Sequence, residues 1–338
     1  MSSLGVHFAR ALIARTALAL AAVGPATASV TPHAQVKAMA RGVNILGYDP
    51  IWSNPAQARF RLDQLARIKQ GGFDTVRVNL HAFEHMDREY RFDPAWLATL
   101  DKVVAAALAQ KLTVILDEHN FIACGQEADA CKPRLMAFWR QIGRRYKDAD
   151  AAVLFEILNE PNGQLTDVVW NKWLVEALAV IRENNPTRNV IIGPVLWNNI
   201  ERLDVLNLPK ADRHIIATVH YYHPMEFTHQ GAPWSTNTPT VGIVWGTPAA
   251  RQRLKSDFVL VQRWAKAEDR PILLGEFGAY DKGDMASRAV YTAAVAREAE
   301  ANGWAWTYWQ FDGDFIVFDM KTDNWVKPIH DALIPRDR

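Results

Sequence analysis

The chain has 338 residues, 49% of them hydrophobic and 22% charged, with a net charge of +1. That is ordinary globular composition, enough for one large α/β domain or two small ones. No basic stripe runs along it, so nucleic-acid binding is disfavoured.

Residues 1–28 have the form of an export signal. Arg10 and Arg15 precede the apolar run 17–23, and Ala26-Thr27-Ala28 has the small-x-small pattern of a cleavage site. The run is too short to anchor the chain across a membrane, and no cysteine sits at the cleavage point to carry a lipid. A disordered, alanine-rich N-terminus is the alternative. Cleavage would leave residues 29–338, at a net charge of about −1 once the two arginines are gone.

Residues 41–46 read as a first strand. A helix is expected over 55–70, with Leu62, Leu65 and Ile68 inward and Gly71-Gly72 as its stop. Residues 75–79 form a second strand, alternating Val76 and Val78 with Arg77 and Asn79. Asp93-Pro94 caps a helix carrying Leu97, Leu100, Val104 and Ala107 at helical spacing. A third strand, 113–116, leads into Asp117-Glu118-His119-Asn120. A helix from Pro133 follows, and then the apolar run Val153-Leu154-Phe155-Glu156-Ile157-Leu158 ends in Asn159-Glu160-Pro161. That run reads as a buried strand, which the proline terminates. Further strands are expected at 190–193, 215–219, 272–275 and 304–309, with helices at 170–183, after residue 247, after Asp284, and at 325–333. Residues 225–247 read as loop.

Eight strands alternating with helices point to a single (β/α)8 TIM barrel. A doubly wound open sheet is the alternative, but it favours a glycine-rich phosphate turn after the first strand, and none is present. The two cysteines are Cys124 and Cys131. Export makes a bridge between them plausible, with two free thiols as the alternative. No His or Cys cluster has ligand spacing around them, so a metal there is disfavoured.

Parallel α/β barrels hold their chemistry at the C-terminal ends of the strands. Arg77, His119, Asn159, Glu160, His220, Tyr222, Glu276 and Trp309 all fall there, from six strands. Each has a bland alternative: a satisfied core charge, a hydrogen-bonded core histidine, a packed tryptophan. Eight together suggest a site. Glu160 and Glu276 form a carboxylate pair at two strand ends, which acid hydrolysis of a glycosidic bond requires. A metal held by such acids is disfavoured, because no His-x-His follows the first strand.

From Gly42-Val43-Asn44 to Trp325 the sequence resembles glycoside hydrolase family five, of the bacterial endo-β-1,4-glucanase type. The resemblance rests on Arg77-Val78-Asn79, Asp117-Glu118-His119-Asn120, Phe155-Glu156-Ile157-Leu158-Asn159-Glu160-Pro161, His220-Tyr221-Tyr222, Gly275-Glu276-Phe277-Gly278, Tyr308-Trp309, and Glu226-Phe227-Thr228-His229-Gln230-Gly231-Ala232-Pro233-Trp234. It implies a retaining, metal-independent and cofactor-free enzyme, with Glu160 as acid/base and Glu276 as nucleophile. It places Asn159 at the sugar 2-hydroxyl and has His119 and His220 hold hydroxyls and carboxylates. Trp309 would lie beneath the reacting sugar, and Trp197 and Trp234 would flank the cleft. Arg77 and the Tyr222 hydroxyl would favour an ionised Glu276, while burial and the charge of Glu276 would keep a proton on Glu160. Glu156 reads as a buried brace, and Trp52 as cleft or packing. Asn120 stands where some relatives carry a second histidine. The expected substrate is β-glucan, acted on by an exported monomer with no membrane or nucleic-acid partner. A β-mannanase, xyloglucanase or mixed-linkage glucanase on the same machinery is the nearest alternative. A non-catalytic carbohydrate-binding barrel is a further one, opposed by the intact glutamate pair.

Overall fold

The computed structural model describes residues 29–335 except 236, 237 and 239. The export signal expected at residues 1–28 lies outside the described residues. Eight parallel strands close on themselves in chain order: β1 Arg41–Ile45, β2 Thr75–Leu80, β3 Thr113–Glu118, β4 Val153–Glu156, β5 Val190–Ile192, β6 Ile215–Tyr221, β7 Ile272–Phe277 and β8 Ala305–Tyr308. β1 pairs with both β2 and β8, which completes the barrel. Full closure leaves no sheet edge to protect. The expected (β/α)8 architecture is therefore observed.

Alternation along the strands separates two cores. Val76 and Val78 of β2, Val114 and Leu116 of β3 and Phe155 of β4 belong to the large shell between sheet and helices. The residues between them point into the barrel. Ile115, Leu154, Ile191, Ile216 and Leu273 form an apolar layer low in the lumen, closed by Val36 and Met39 of the helix Pro32–Met39. One step further along, the inward residues turn polar: Arg77, Asp117 and Glu156, with Asn44 beside Arg77 in register. The lumen is thus greasy at one end and charged at the other.

Three buried indoles reach the backbone at the strand ends, where the ladder stops. Trp139 Nε1 donates to the carbonyl of Ile157, Trp170 Nε1 to that of Gly193 and Trp52 Nε1 to that of Leu46. Trp52 also packs on Trp96 and is nearly buried, so it belongs to the core and not to the cleft.

Three expectations are corrected in detail. Of the helix expected over 55–70, the α-helix is Gln64–Gln70, preceded by a single 3-10 turn at Pro55–Gln57. The Asp49 carboxylate accepts from the backbone N–H groups of Ile51, Arg59 and Phe60, which folds the preceding stretch into a loop. The helix expected from Pro133 begins at Ala128, so Pro133 lies inside it, where its ring removes the N–H that would bond the Asp129 carbonyl. The closing helix is Lys327–Leu333, because Trp325 pairs with Phe318 in a small antiparallel sheet. Cys124 and Cys131 are joined, linking the helices Phe121–Gln126 and Ala128–Arg145. A loop this short stabilises the chain by about 2–3 kcal/mol in the chain-entropy picture.

Candidate active site

Arg77 is the hub. A guanidinium with no exposed surface survives only if fully partnered. Its Nε and Nη2 grip the two oxygens of Glu156 at 2.7 and 2.9 Å. Nη1 donates to Asn44 Oδ1 and to Glu276 Oε1, both at 2.8 Å. Nη2 also donates to Asn159 Oδ1 at 2.8 Å, and Asp117 Oδ2 lies 3.2 Å away. Every N–H of the group is used. Asn44 keeps its oxygen toward Arg77 because its Nδ2 donates to the carbonyls of Gly275 and Tyr308. Burial pushes Glu156 up to about 7 and Asp117 to about 6, against the pull of Arg77. Glu156 is therefore a buried brace, as its place inside β4 suggests.

Glu276 ends up on the mouth side of β7. Its Oε1 takes the Arg77 bond and its Oε2 accepts from the Tyr222 hydroxyl at 3.0 Å. Glu160 sits in the turn after β4 with φ 42°, a left-handed conformation that non-glycine residues seldom adopt. Asn159 N–H to the Glu118 carbonyl and Asn162 Nδ2 to the Glu160 carbonyl, both at 2.8 Å, hold that turn. Glu160 Oε1 lies 2.7 Å from His220 Nδ1, and the same nitrogen is 3.6 Å from Glu276 Oε2. One oxygen of each glutamate and a ring nitrogen of His220 all fall within 4.8 Å of one another. Carboxylates this close can act on one bond without a water between them. The Arg77 charge already on Glu276 opposes a cation in this position.

The two carboxyls differ electrostatically. Burial raises both. Glu276 is pushed up to about 7, with Arg77 and the Tyr222 hydroxyl pulling it back. Glu160 goes well above the usual carboxylate range, through burial first and the charge of Glu276 second. Arg77 and the Tyr222 hydroxyl favour the charge on Glu276, and that charge in turn favours a proton on Glu160. His119 and His220 are held well below the usual imidazole value by burial and then by Arg77, so both are neutral.

Around the pair, hydrogen bonds decide which atoms remain for a ligand. Asn159 accepts from Arg77 through Oδ1, which turns its amide N–H groups away from Arg77, with Nδ2 3.5 Å from His119 Nε2. His119 Nδ1 contacts Asp117 Oδ2 at 2.5 Å, so its Nε2 is the acceptor. The His119 ring lies parallel to Trp309 at 5.7 Å, and Trp309 is nearly buried. Tyr222 is steadied by Thr228, whose hydroxyl donates to the Tyr222 carbonyl at 2.6 Å. The loop after Tyr222 is stapled by the buried Gln230 amide, which bonds the backbone of Phe227, Gly242 and Ile243. Asn120 is drawn away, donating to Glu84 and accepting from Phe83 N–H.

All eight expected strand-end residues therefore converge. Trp197 and Trp234 do not join them on the floor. They are 49% and 52% exposed, Trp197 in the turn after β5 and Trp234 edge-on to Tyr280. Three contributors carry no role that the sequence alone assigns. Asn44 lies between Val43 and Ile45 on β1, and Asp117 two residues after the inward Ile115 on β3, and that alternation is the signal that could have found them. Tyr48 stacks obliquely on His81, which meets His119, extending the aromatic wall outward.

Comparisons with known proteins bear on the family and the fold. The family model described as cellulase (glycosyl hydrolase family 5) matches residues 35–314. Endoglucanase H of Acetivibrio thermocellus is 29% identical over 90% of this chain, and endoglucanase A of Clostridium longisporum 26% identical over 90%. The aligned region spans 34% and 62% of those relatives, so both are longer proteins. Endoglucanase Cel5A of Thermotoga maritima superposes with a TM-score of 0.86 at 36% identity, covering 90% of this chain and 100% of that one. Cellulose synthase subunit Z of Clostridioides difficile gives 0.83 at 32%, covering 88% and 99%. A closed barrel, a paired-glutamate mouth and a family match over most of the chain lead to one conclusion: this protein belongs to the cellulase family, glycosyl hydrolase family 5.

Proposed function

We propose that the chain is a retaining endo-β-1,4-glucanase in which Glu276 is the nucleophile and Glu160 the acid/base. The observation that carries the reading is the unequal pair: Glu276 bonded to Arg77 and Tyr222, Glu160 bonded to neutral His220, one oxygen of each within 4.8 Å. In the first step Glu276 attacks the anomeric carbon as Glu160 passes its proton to the departing oxygen. Esterifying Glu276 removes its charge, which lowers the proton affinity of Glu160 and lets it act as base toward water. Arg77 and Tyr222 hold the nucleophile in line. The Asn159 amide is placed for the 2-hydroxyl, a bond that strengthens as the oxocarbenium character grows. Trp309 offers an apolar face to the sugar ring.

Specificity is the less constrained half of the reading. Thermotoga maritima Cel5A has been crystallised with cellobiose and with mannotriose, so a glucan or a glucomannan backbone suits this machinery. Export through residues 1–28 agrees with a polymeric substrate. N-terminal sequencing of protein from the native host should begin at Ser29, and material starting at Met1 would refute that signal.

Reducing ends released from carboxymethyl cellulose, barley glucan, glucomannan, galactomannan and xyloglucan test the substrate class. Fast release from the first two, with a steep early fall in viscosity, is expected. Preferential release from galactomannan would move the protein to the mannanases.

A further inference from the structure

Leu196, Trp197 and Asn198 follow β5 in three consecutive left-handed conformations, with φ of 57, 59 and 55°. None is glycine, so the run persists only where its surroundings over-determine it. Trp197 N–H donates to the Pro161 carbonyl at 3.2 Å, which ties the turn to the segment carrying Glu160. Asn199 forms a parallel bridge with His220. What the turn delivers is the Asn198 side chain. It is completely buried, with Nδ2 3.2 Å from His220 Nε2.

The other end of the amide fixes its orientation. Asn198 Oδ1 has no polar partner among the described residues and lies against Gly193, where an added Cβ would collide with it. An oxygen facing a glycine Cα–H makes a weak contact. Turned over, the amide would bury N–H groups against carbon, which costs more. The NH2 therefore donates to Nε2. A neutral ring that accepts at Nε2 carries its proton on Nδ1, and Nδ1 faces Glu160 Oε1.

We propose that Asn198 is a positioning residue that locks His220 in the Nδ1–H tautomer, making the imidazole a permanent donor to one oxygen of Glu160. The proposal rests on Glu160 being the acid/base. Its chemical consequence is directional. A protonated Glu160 has no acceptor at His220, so its proton stays on Oε2, the oxygen left for the leaving group. Once ionised, Glu160 still has a donor on Oε1 while Oε2 takes the proton of water. His220 of β6 is the one side chain hydrogen-bonded to this carboxylate among the described residues. Glu276 of β7, Arg77 of β2, Asp117 of β3 and Glu156 of β4 act on it through charge, and the Tyr48 and Tyr222 hydroxyls lie in its field.

Two variants test the lock from opposite sides. Asn198→Leu keeps the shape and removes the donor. Gly193→Ala leaves Asn198 in place and pushes its amide aside. The first readout is the nitrogen-15 NMR of His220 in the resting full chain, assigned by its loss in His220→Gln. The native enzyme should show a protonated Nδ1 and a bare Nε2 on both sides of the Glu160 titration. Both variants should show protonated Nε2 where Glu160 is protonated. In kinetics on aryl cellobiosides, the alkaline limb of kcat/KM should rise by about one pH unit, because Nδ1 now accepts from the acid. The loss of kcat/KM should grow as the leaving group becomes poorer, to roughly tenfold or more. Nε2 found protonated in the native enzyme overturns the proposal, as does a native tautomer and pH limb in a folded variant. The tautomer is read without turnover. A wrong acid/base assignment would instead show in the azide rescue of Glu160→Ala, so the two failures are separable.

Discussion

Arg77 and Trp197 lie at the same end of the barrel, yet one has no exposed surface and an acceptor for every N–H, while the other is 49% exposed. The floor around Arg77 is a closed network of Asn44, Asp117, Glu156, Asn159 and Glu276, each bonded to another member or to a strand-end backbone. The rim of Tyr48, Trp197 and Trp234 offers aromatic faces with few partners of their own. The contrast separates two tasks. In the proposed function the floor would set charge and position at the reacting bond, where a small displacement is costly. The rim would meet the polymer away from that bond, where apolar contact adds affinity without touching the chemistry.

The strongest way to break the contrast is at its hub. Arg77→Met removes one cation from among three carboxylates and should destabilise the fold by about 3–5 kcal/mol, the cost of leaving buried charge unpaired. Chemical denaturation would measure it, and activity should fall with it even where the variant stays folded. A near-neutral result would mean the floor is not the closed network described. The disulfide lies outside the floor, so Cys124→Ser should lower stability by about 2–3 kcal/mol and leave kcat almost unchanged. Two titratable thiols in native exported protein would contradict the bridge itself.

Tyr222→Phe is a gentler probe of the floor. It deletes a donor to ionised Glu276, so the nucleophile holds its proton to higher pH. The acid limb of kcat/KM should rise by about one pH unit. A downward or absent shift would deny the hydroxyl its role. The smallest effects belong to the rim. Trp197→Ala and Trp234→Ala should each raise KM by about the factor that 0.5–1.5 kcal/mol implies, with kcat and thermal stability nearly unchanged. A large fall in kcat would show that the rim reaches the chemistry after all.

The floor is more legible in the sequence than the rim or the helices. Pro161 stops an apolar run just past Asn159 and Glu160, which marks a buried strand with a polar lip. Strict alternation sets Arg77 on the face opposite Val76 and Val78. Residues 325–333 have the pattern of one helix, yet Asn324–Trp325 pairs with Phe318–Asp319, since two residues per strand leave no periodicity to detect. The stretch 55–63 also has a helical pattern, and nothing local reveals that Asp49 captures three backbone N–H groups around it. Asn198 is hidden for the same kind of reason. Three ordinary residues in left-handed conformations carry no mark in the sequence, and the bond to His220 exists only once β5 and β6 are side by side.

The most direct test of the floor's central claim, that its two glutamates have fixed and different roles, is azide rescue of Glu160→Ala on an activated aryl cellobioside. The first step needs little acid help and should proceed, so glycosyl-enzyme accumulates on Glu276. Azide needs no base, and it should restore turnover and give the β-glycosyl azide with retained configuration. Under the same conditions Glu276→Ala should give the inverted α-product, since azide enters from the emptied nucleophile side. An α-product from Glu160→Ala, or native turnover in either variant, would contradict the retaining mechanism.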